Sequence, residues 1–406
     1  MDSLKKSQIL KNKSLIFLLF GRMSGAFSVQ MVTVAVGWQM YALTENAFYL
    51  GLVGLVQFIP MFLLTLISGY AADRFDRKII IFLCKIIEGT AVLILAFGSY
   101  KGWINKEYIL IIVFILGSLN SFQGPSMQAL LPNIVSKEVF PRAAALLASA
   151  FQFATIVGPA LGGVLYALGP GIVYLTAGIL SFITSILILS IKIKQVHIKP
   201  EPVTTKSLFA GISFIRSKPI ILGAISLDLF AVLFGGATAL LPVYASKVLM
   251  VGPFGLGLLR SAPAAGALLI SIVLARKPLR RNVGHVMFVA VVTFGISTIM
   301  FALSKSLTAS LMFLFVLGAS DVISVVIRST LVQMETPDKM RGRVSSVNLM
   351  FIGTSNQLGE FESGLTASWF GEVPAVIFGG IGTIVVAILW IRLFPNLWNV
   401  NKLGHK

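Results

Sequence analysis

The chain has 406 residues, 56% hydrophobic and only 12% charged, with a mean hydropathy of +0.91. That balance excludes a soluble globular domain and a disordered chain, so the formal net charge of +18 is read against a membrane rather than nucleic acid. The single cysteine, Cys84, excludes an intrachain disulfide and a Cys-rich metal site.

About 20 consecutive apolar residues cross the hydrocarbon core as a helix, and roughly twelve stretches meet that requirement. Their cores are 15–42, 48–71, 79–99, 108–131, 143–168, 170–191, 219–246, 254–275, 284–304, 308–333, 344–369 and 373–394. The runs are continuous rather than alternating in short segments, which predicts helices and not barrel strands. Lys5, Lys6, Lys11 and Lys13 precede the first run, but no small-residue cleavage site follows a short apolar core, so it reads as a retained helix. Of the 33 Lys and Arg, 25 fall in the N-terminal segment, alternate loops and the C-terminal segment. That bias predicts cytoplasmic termini on both ends of a multi-pass membrane protein.

The second and third stretches are separated by "GYAADRFDRK", Gly69 to Lys78, a cluster of charge in a chain with little of it. The longest connection, "KIKQVHIKPEPVTTKS" from Lys192 to Ser207, divides six stretches from six. The expected organisation is a six-helix bundle over 1–191, a cytoplasmic loop over 192–218 and a second bundle over 219–406. A shift of 201 residues brings Gly117 onto Gly318, Arg142 onto Arg343 and Gly158 onto Gly359. Such repeats suit transporters, whose substrate sites form between two similar bundles that rock against each other.

"GYAADRFDRK" resembles the signature loop of the major facilitator superfamily, with Gly69, Asp73, Arg74, Arg77 and Lys78 in place and Asp76 where the usual pattern has its second glycine. The resemblance implies an all-α polytopic fold of twelve transmembrane helices in two six-helix bundles. It also implies a conformational gate in which Asp73 and Arg77 pair across the half interface. Helix dipole and hydrogen bonds together would favour a carboxylate at such a place. The alternative is that these charges merely obey the inside rule, which does not account for Asp73, since acids add little to topology. The second-half counterpart, "ARKPLRRNVG", keeps the basic residues without the acid.

In the fourth stretch the superfamily pattern places an arginine three residues before Gln-Gly, but here Asn120 precedes Gln123 and Gly124. Any proton circuit must use other residues. In the fifth, "GPALGG" resembles the exporters' antiporter motif and assigns Gly158, Pro159, Gly162 and Gly163 to the gate, with ordinary small-residue packing as the alternative.

Ionisable residues within spans cost roughly 2.5 to 3.5 kcal/mol each on insertion scales and are functional candidates by default. Lys85 is set aside as able to snorkel and Arg260 as near a span end. Arg22, Glu88, Asp228, Asp321, Arg328, Glu360 and Glu362 remain, with Gln30 and Asn356 as polar neighbours, as candidates for substrate or proton coupling. Asp321, Ser324 and Arg328 share a helical face, the first and last about 10.5 Å apart along the axis. Glu360 and Glu362 lie about 200° apart around their helix, so each needs its own partner. For every one of these a purely structural pairing is the alternative.

The three histidines, His197, His285 and His405, fall in the midpoint loop, at a helix start and in the tail, and no P-loop occurs. This predicts a transporter without enzymatic activity, cofactor or metal, driven by an ion or substrate gradient. The stretches "GRMSGAFSVQMVTVAVGWQMYALT" and "RGRVSSVNLMFIGTSNQLGEFESG" resemble the branch of the superfamily that includes enterobactin exporters and related efflux carriers. The implied activity is export of a siderophore or other amphipathic small molecule, with H+ as coupling ion, the bilayer as surroundings and a monomer as the working unit. Import of a ferric siderophore, or a non-transporting sensor on a carrier fold, are the alternatives.

Overall fold

A computed structural model describes residues 12–136, 138–192, 205–277, 279 and 281–402, without the side chains of residues 66, 73, 205–209, 338 and 339. His197, His405 and most of the midpoint loop therefore lie outside the described residues. The chain runs through α1 (Lys13–Thr44), α2 (Ala47–Arg74), α3 (Arg77–Lys101), α4 (Lys106–Gln128), α5 (Phe140–Ala167) and α6 (Pro170–Leu189). There follow α7 (Thr205–Ser217), α8 (Pro219–Phe234), α9 (Gly252–Arg276), α10 (Val283–Leu303), α11 (Leu307–Glu335), α12 (Asp338–Phe370), α13 (Glu372–Leu393) and the short α14 (Pro395–Trp398).

Among the described residues, eleven helical segments are long and apolar enough to cross a membrane, with the interrupted run Pro219–Val248 taken as one. The remaining expected stretch, 344–369, is inside α12, a 33-residue helix of ample length. Asn348, Asn356, Gln357, Glu360 and Glu362 make it too polar to qualify on composition. Helix ends follow local chemistry. Asp76 caps α3 by accepting from the Lys78 amide at 2.8 Å, with φ −64°, so a residue other than glycine fits there without strain. Asn105 caps α4 in the same way through the Tyr108 amide at 3.0 Å, and Gly102, at φ 76°, closes α3 in the left-handed conformation.

Two compact units form. One comprises the chain up to Leu43 with Ile59–Pro202; the other comprises Thr44–Phe58 with Val203–Lys406. The division departs from the covalent halves at one place, because the first turns of α2, ahead of Pro60, group with the second unit.

Within the first unit α3 packs along α6, and α1 is joined to α6 by hydroxyl pairs: Ser24 with Thr184 and Ser28 with Ser181, each at 2.9 Å. Polar contacts of this sort act as glue where lipid offers no hydrophobic drive between helices. The "GPALGG" glycines set the approach of α5 to α1. A Cβ on Gly162 would stand 3.0 Å from the Met31 Cα, and one on Gly158 would stand 2.8 Å from the Gln30 Cβ.

The second unit is centred on Ala224, Val283, Phe288, Ile327 and Val386, which bring α8, α10, α11 and α13 together. Two expectations change here. The connection over 192–218 is not loop throughout, since α7 docks Ile215 against Ile221, Val344 and Val347. The stretch 219–246 is not one helix: α8 stops at Phe234, and Gly235–Gly236 lead into a 3-10 turn over Ala237–Leu240 and a π turn over Tyr244–Val248. The Thr383 hydroxyl donates to the Ala231 carbonyl at 3.0 Å, supplying a partner near the interrupted end. Irregular backbone at membrane depth survives only where protein covers it, and Gly359 of α12 does so, its added Cβ falling 2.9 Å from the Leu233 carbonyl oxygen.

Farther along α12, Gly364 meets Gly51 of α2, and a Cβ on Gly51 would lie 2.9 Å from the Phe361 carbonyl oxygen. Backbone cannot yield as a side chain can. Gly51→Val is expected to destabilise the protein by about 1–3 kcal/mol, read as a lowered midpoint of thermal unfolding in detergent. Gly124→Ala, at a glycine whose Cβ would meet nothing within 4 Å, is expected to leave the midpoint unchanged.

Candidate functional site

Two charge clusters sit inside membrane-spanning helices, one in each unit. In the first, α3 places Lys85 and Glu88 one turn apart, and the Lys85 ammonium donates to both Glu88 oxygens at 2.8 Å. Gln123 of α4 donates to Glu88 Oε2 at 2.8 Å, and Ser181 of α6 donates to Oε1 at 2.9 Å. Lys85 and Glu88 are only 3% and 6% exposed. Lys85 thus does not snorkel as expected, because the carboxylate three residues on neutralises it in place. Both oxygens of Glu88 carry two donors each, so the cluster is closed in charge and in hydrogen bonds.

In the second unit, Asp228 of α8 meets Arg328 of α11, with Oδ2 3.2 Å from Nη2 and both side chains buried. Arg328 Nη1 donates to Asn348 Oδ1 of α12 at 2.8 Å, while its Nε is buried without a partner. Two turns back along α11, Asp321 lines a narrow cleft of about 10 Å³, room for about one water-sized occupant, with Asp228, Ser320 and Ser324. Asp321 makes no hydrogen bond or ion pair among the described residues, and the Ser324 hydroxyl is buried without a partner. The shared face expected for Asp321, Ser324 and Arg328 therefore points at Asp228. This cluster is incomplete where the first is complete.

The acids of α12 have separate surroundings. Glu360 packs over Gly54, whose Cβ would fall 2.9 Å from Oε2, and is electrostatically coupled to Arg260 of α9. Arg260 was set aside in the sequence, yet it is the charge nearest in effect to Glu360, and its Nε is buried without a hydrogen bond. Glu362 accepts from Thr366 of its own helix at 2.9 Å. Asn356 is exposed and donates to the Ile352 carbonyl one turn back at 2.9 Å.

The Arg22 guanidinium lies 5.5 Å from the Phe151 ring centre, a cation–π contact between α1 and α5. Gln30 is the side chain that Gly158 accommodates, and Pro159, Gly162 and Gly163 are buried within α5. In the signature loop, Gly69 lies in the last turns of α2 and Arg74 stacks on Tyr70 at 5.7 Å and donates to its hydroxyl. Arg77 donates to the carbonyls of Ala72 at 3.0 Å and Ala129 at 3.2 Å, and Lys78 donates to those of Ile191 at 2.6 Å and Leu189 at 3.3 Å. These cations hold the C-terminal ends of α2, α4 and α6 through carbonyls that the helices leave unpaired. The Asp73 side chain lies outside the described part of the structure.

Sequence reasoning passed over Gln123 as a ligand of Glu88, Ser181, and Asn348. The first was visible as an amide beside a glycine in a span, and Asn348 as one more amide in a polar helix. Neither signal names its partner, because the partner lies on another helix.

Intramembrane charge clusters in a polytopic helical chain are of the kind that mark ion and substrate paths in membrane transporters. Residues 10–402 match the family described as transmembrane secretion effector, and the chain belongs to that family of the major facilitator superfamily. It is similar to the enterobactin exporter EntS of Salmonella choleraesuis (strain SC-B67), at 24% identity over 94% of this chain and 92% of that one. EntS of Citrobacter koseri is 25% identical over 94% and 91%. Among solved structures, the nucleoside transporter NupG aligns with a TM-score of 0.71 at 16% identity, covering 94% of this chain and 99% of that one. A bacterial homologue of the lysosomal transporter Spinster, inward-facing and occupied, aligns at 0.71 and 14% identity over 95% of each. These likenesses show the major facilitator fold.

The closed cluster makes a sharp energetic statement. Glu88→Ala leaves Lys85 buried without its counter-charge and is expected to cost about 3–5 kcal/mol, whereas the double change Lys85→Met with Glu88→Leu removes both charges and is expected to cost less, about the 1–3 kcal/mol of the donor it strands on Gln123. Thermal unfolding of the wild type and these two variants checks it.

Proposed function

We propose that this chain exports a siderophore-class or comparably amphipathic small molecule across the bacterial inner membrane by alternating access, in exchange for protons, with both termini cytoplasmic and a monomer as the working unit. The observation that carries this reading is the Asp228–Arg328 ion pair, buried at 3.2 Å in the second unit beside the unpaired Asp321. A buried ion pair of this kind holds its helices together only while both members are charged. Loading the neighbouring acid with a cation changes the charge that surrounds this pair and the helices it joins, which is what an ion-driven conformational cycle requires. The similarity to enterobactin exporters over 94% of the chain supports both the direction and the substrate class.

In this reading the bundles 1–191 and 219–406 are the moving parts. The signature loop and "GPALGG" form the gate, with Asp73 biasing the balance of conformations and Arg77 and Lys78 bracing the loop. Glu360, with Arg260, and Glu362 are the second-rank carboxyls, while Arg22, Gln30 and Asn356 contribute polar surface to the substrate path. The closed cluster around Glu88, a coupling candidate in the sequence, holds helices together in this reading.

In a deletion strain starved of iron, secretion of the siderophore is expected to fall and to return with the wild-type chain. Unchanged secretion with lost uptake would reverse the direction. In proteoliposomes with an imposed pH gradient, Asp228→Asn is expected to abolish accumulation against a substrate gradient while permitting downhill exchange. Wild-type accumulation in that variant would contradict the coupling. Asp73→Asn is expected to lower turnover at near-normal abundance, measured as initial transport rate per inserted protein.

A further inference from the structure

The two clusters differ by one charge. Lys85 and Glu88 sum to zero, and every Glu88 oxygen is satisfied. Arg328 pairs with Asp228, and Asp321 lines the cleft that Asp228 also lines, so with both acids ionised the second cluster carries one uncompensated negative charge. Among the described residues that line the cleft, Asp228 is the other charged group. The cleft is otherwise faced by apolar residues of α8 and α10, among them Val232, Val291 and Phe294. Arg260 on the neighbouring α9 is coupled to Glu360 instead. An uncompensated charge in such a place is costly, and a single monovalent cation removes the cost.

The polar atoms are set out for that cation. Asp321 has both oxygens free of hydrogen bonds and ion pairs among the described residues. Ser324, 3% exposed, presents into the cleft a hydroxyl with no partner. The Ser320 hydroxyl donates backwards to the Leu317 carbonyl at 2.8 Å, which leaves its lone pairs available. Asp228 is already held by Arg328. We propose that this cleft binds one monovalent cation, a proton or a sodium ion, on Asp321 with Ser324 beside it, and that Asp228 and Arg328 act as a positioning pair that sets the site's charge at minus one. The purpose of the site rests on the transporter reading, but its test needs no substrate and no transport.

A cation that binds the native state and not the unfolded one raises the unfolding midpoint. Purified full-length protein in detergent is melted across a pH series in choline chloride, and across a NaCl series balanced with choline at alkaline pH. A rise on acidification alone identifies the proton, and a rise with NaCl identifies sodium. Asp321→Asn is expected to lose the response. Asp228→Asn is expected to lose it too, because Arg328 then balances Asp321. The double variant Asp228→Asn with Arg328→Gln restores a charge of minus one and is expected to regain it. Carbodiimide labelling of the wild-type chain, read by mass spectrometry, serves where a variant does not fold. Its adduct is expected on Asp321, reduced at high pH for a proton site or by sodium for a sodium site. A wild-type response retained in Asp321→Asn, a double variant that folds but stays unresponsive, absence of any wild-type response, or labelling of Asp228 instead of Asp321 would each overturn the proposal.

Discussion

An unpaired ion in the hydrocarbon core is costly, so a charge drawn into a membrane helix is compensated by protein groups or by a water-filled cavity. That constraint organises this chain more than any other. It explains why Lys85 turns inward to Glu88 instead of reaching for the surface, and why Gln123 and Ser181 gather on the same carboxylate. It explains as well why Arg328 is bound from two helices, by Asp228 and by Asn348. The same rule gives meaning to the exception, since Asp321 in its cleft is the acid that the neighbouring side chains leave unanswered.

Small residues supply the second organising element. Gly158 and Gly162 bring α5 against α1, while Gly359 and Gly364 bring α12 against the interrupted end of α8 and the start of α2. In a bilayer, close backbone approach and dispersion replace the hydrophobic drive that would join helices in water. The polar stretch "SNQLGEFESG" is therefore two things at once. Its glycines pack, and its glutamates occupy separate neighbourhoods, Glu360 over Gly54 and Glu362 against Thr366.

Much of the fold was legible because the membrane makes hydropathy speak plainly: a run of apolar residues of sufficient length has few alternatives to a helix. Two features resisted. The docking of α7 depends on Ile215 finding Ile221 and Val344, which no local pattern announces among the charges and prolines around it. The end of α8 at Phe234 depends on α12 covering it, so an apolar sequence read alone predicts continuity. The site divided in the same way. Candidate residues could be named because ions in spans are rare, but their pairing could not, because Glu88 with Gln123 and Asp228 with Arg328 are contacts across helices. Lys85 shows the limit most clearly. Its position near a span end suggested a route to the surface, yet a carboxylate three residues away was the stronger attraction.

The first unit's charge cluster is closed and the second's is open by one, a difference that infrared difference spectroscopy reads directly. Spectra of the purified protein are compared between high and low pH, and between choline and sodium. The carboxyl signal that changes is predicted to disappear in Asp321→Asn and to persist in Glu88→Gln. A signal that survives Asp321→Asn and is lost in Glu88→Gln would contradict the account.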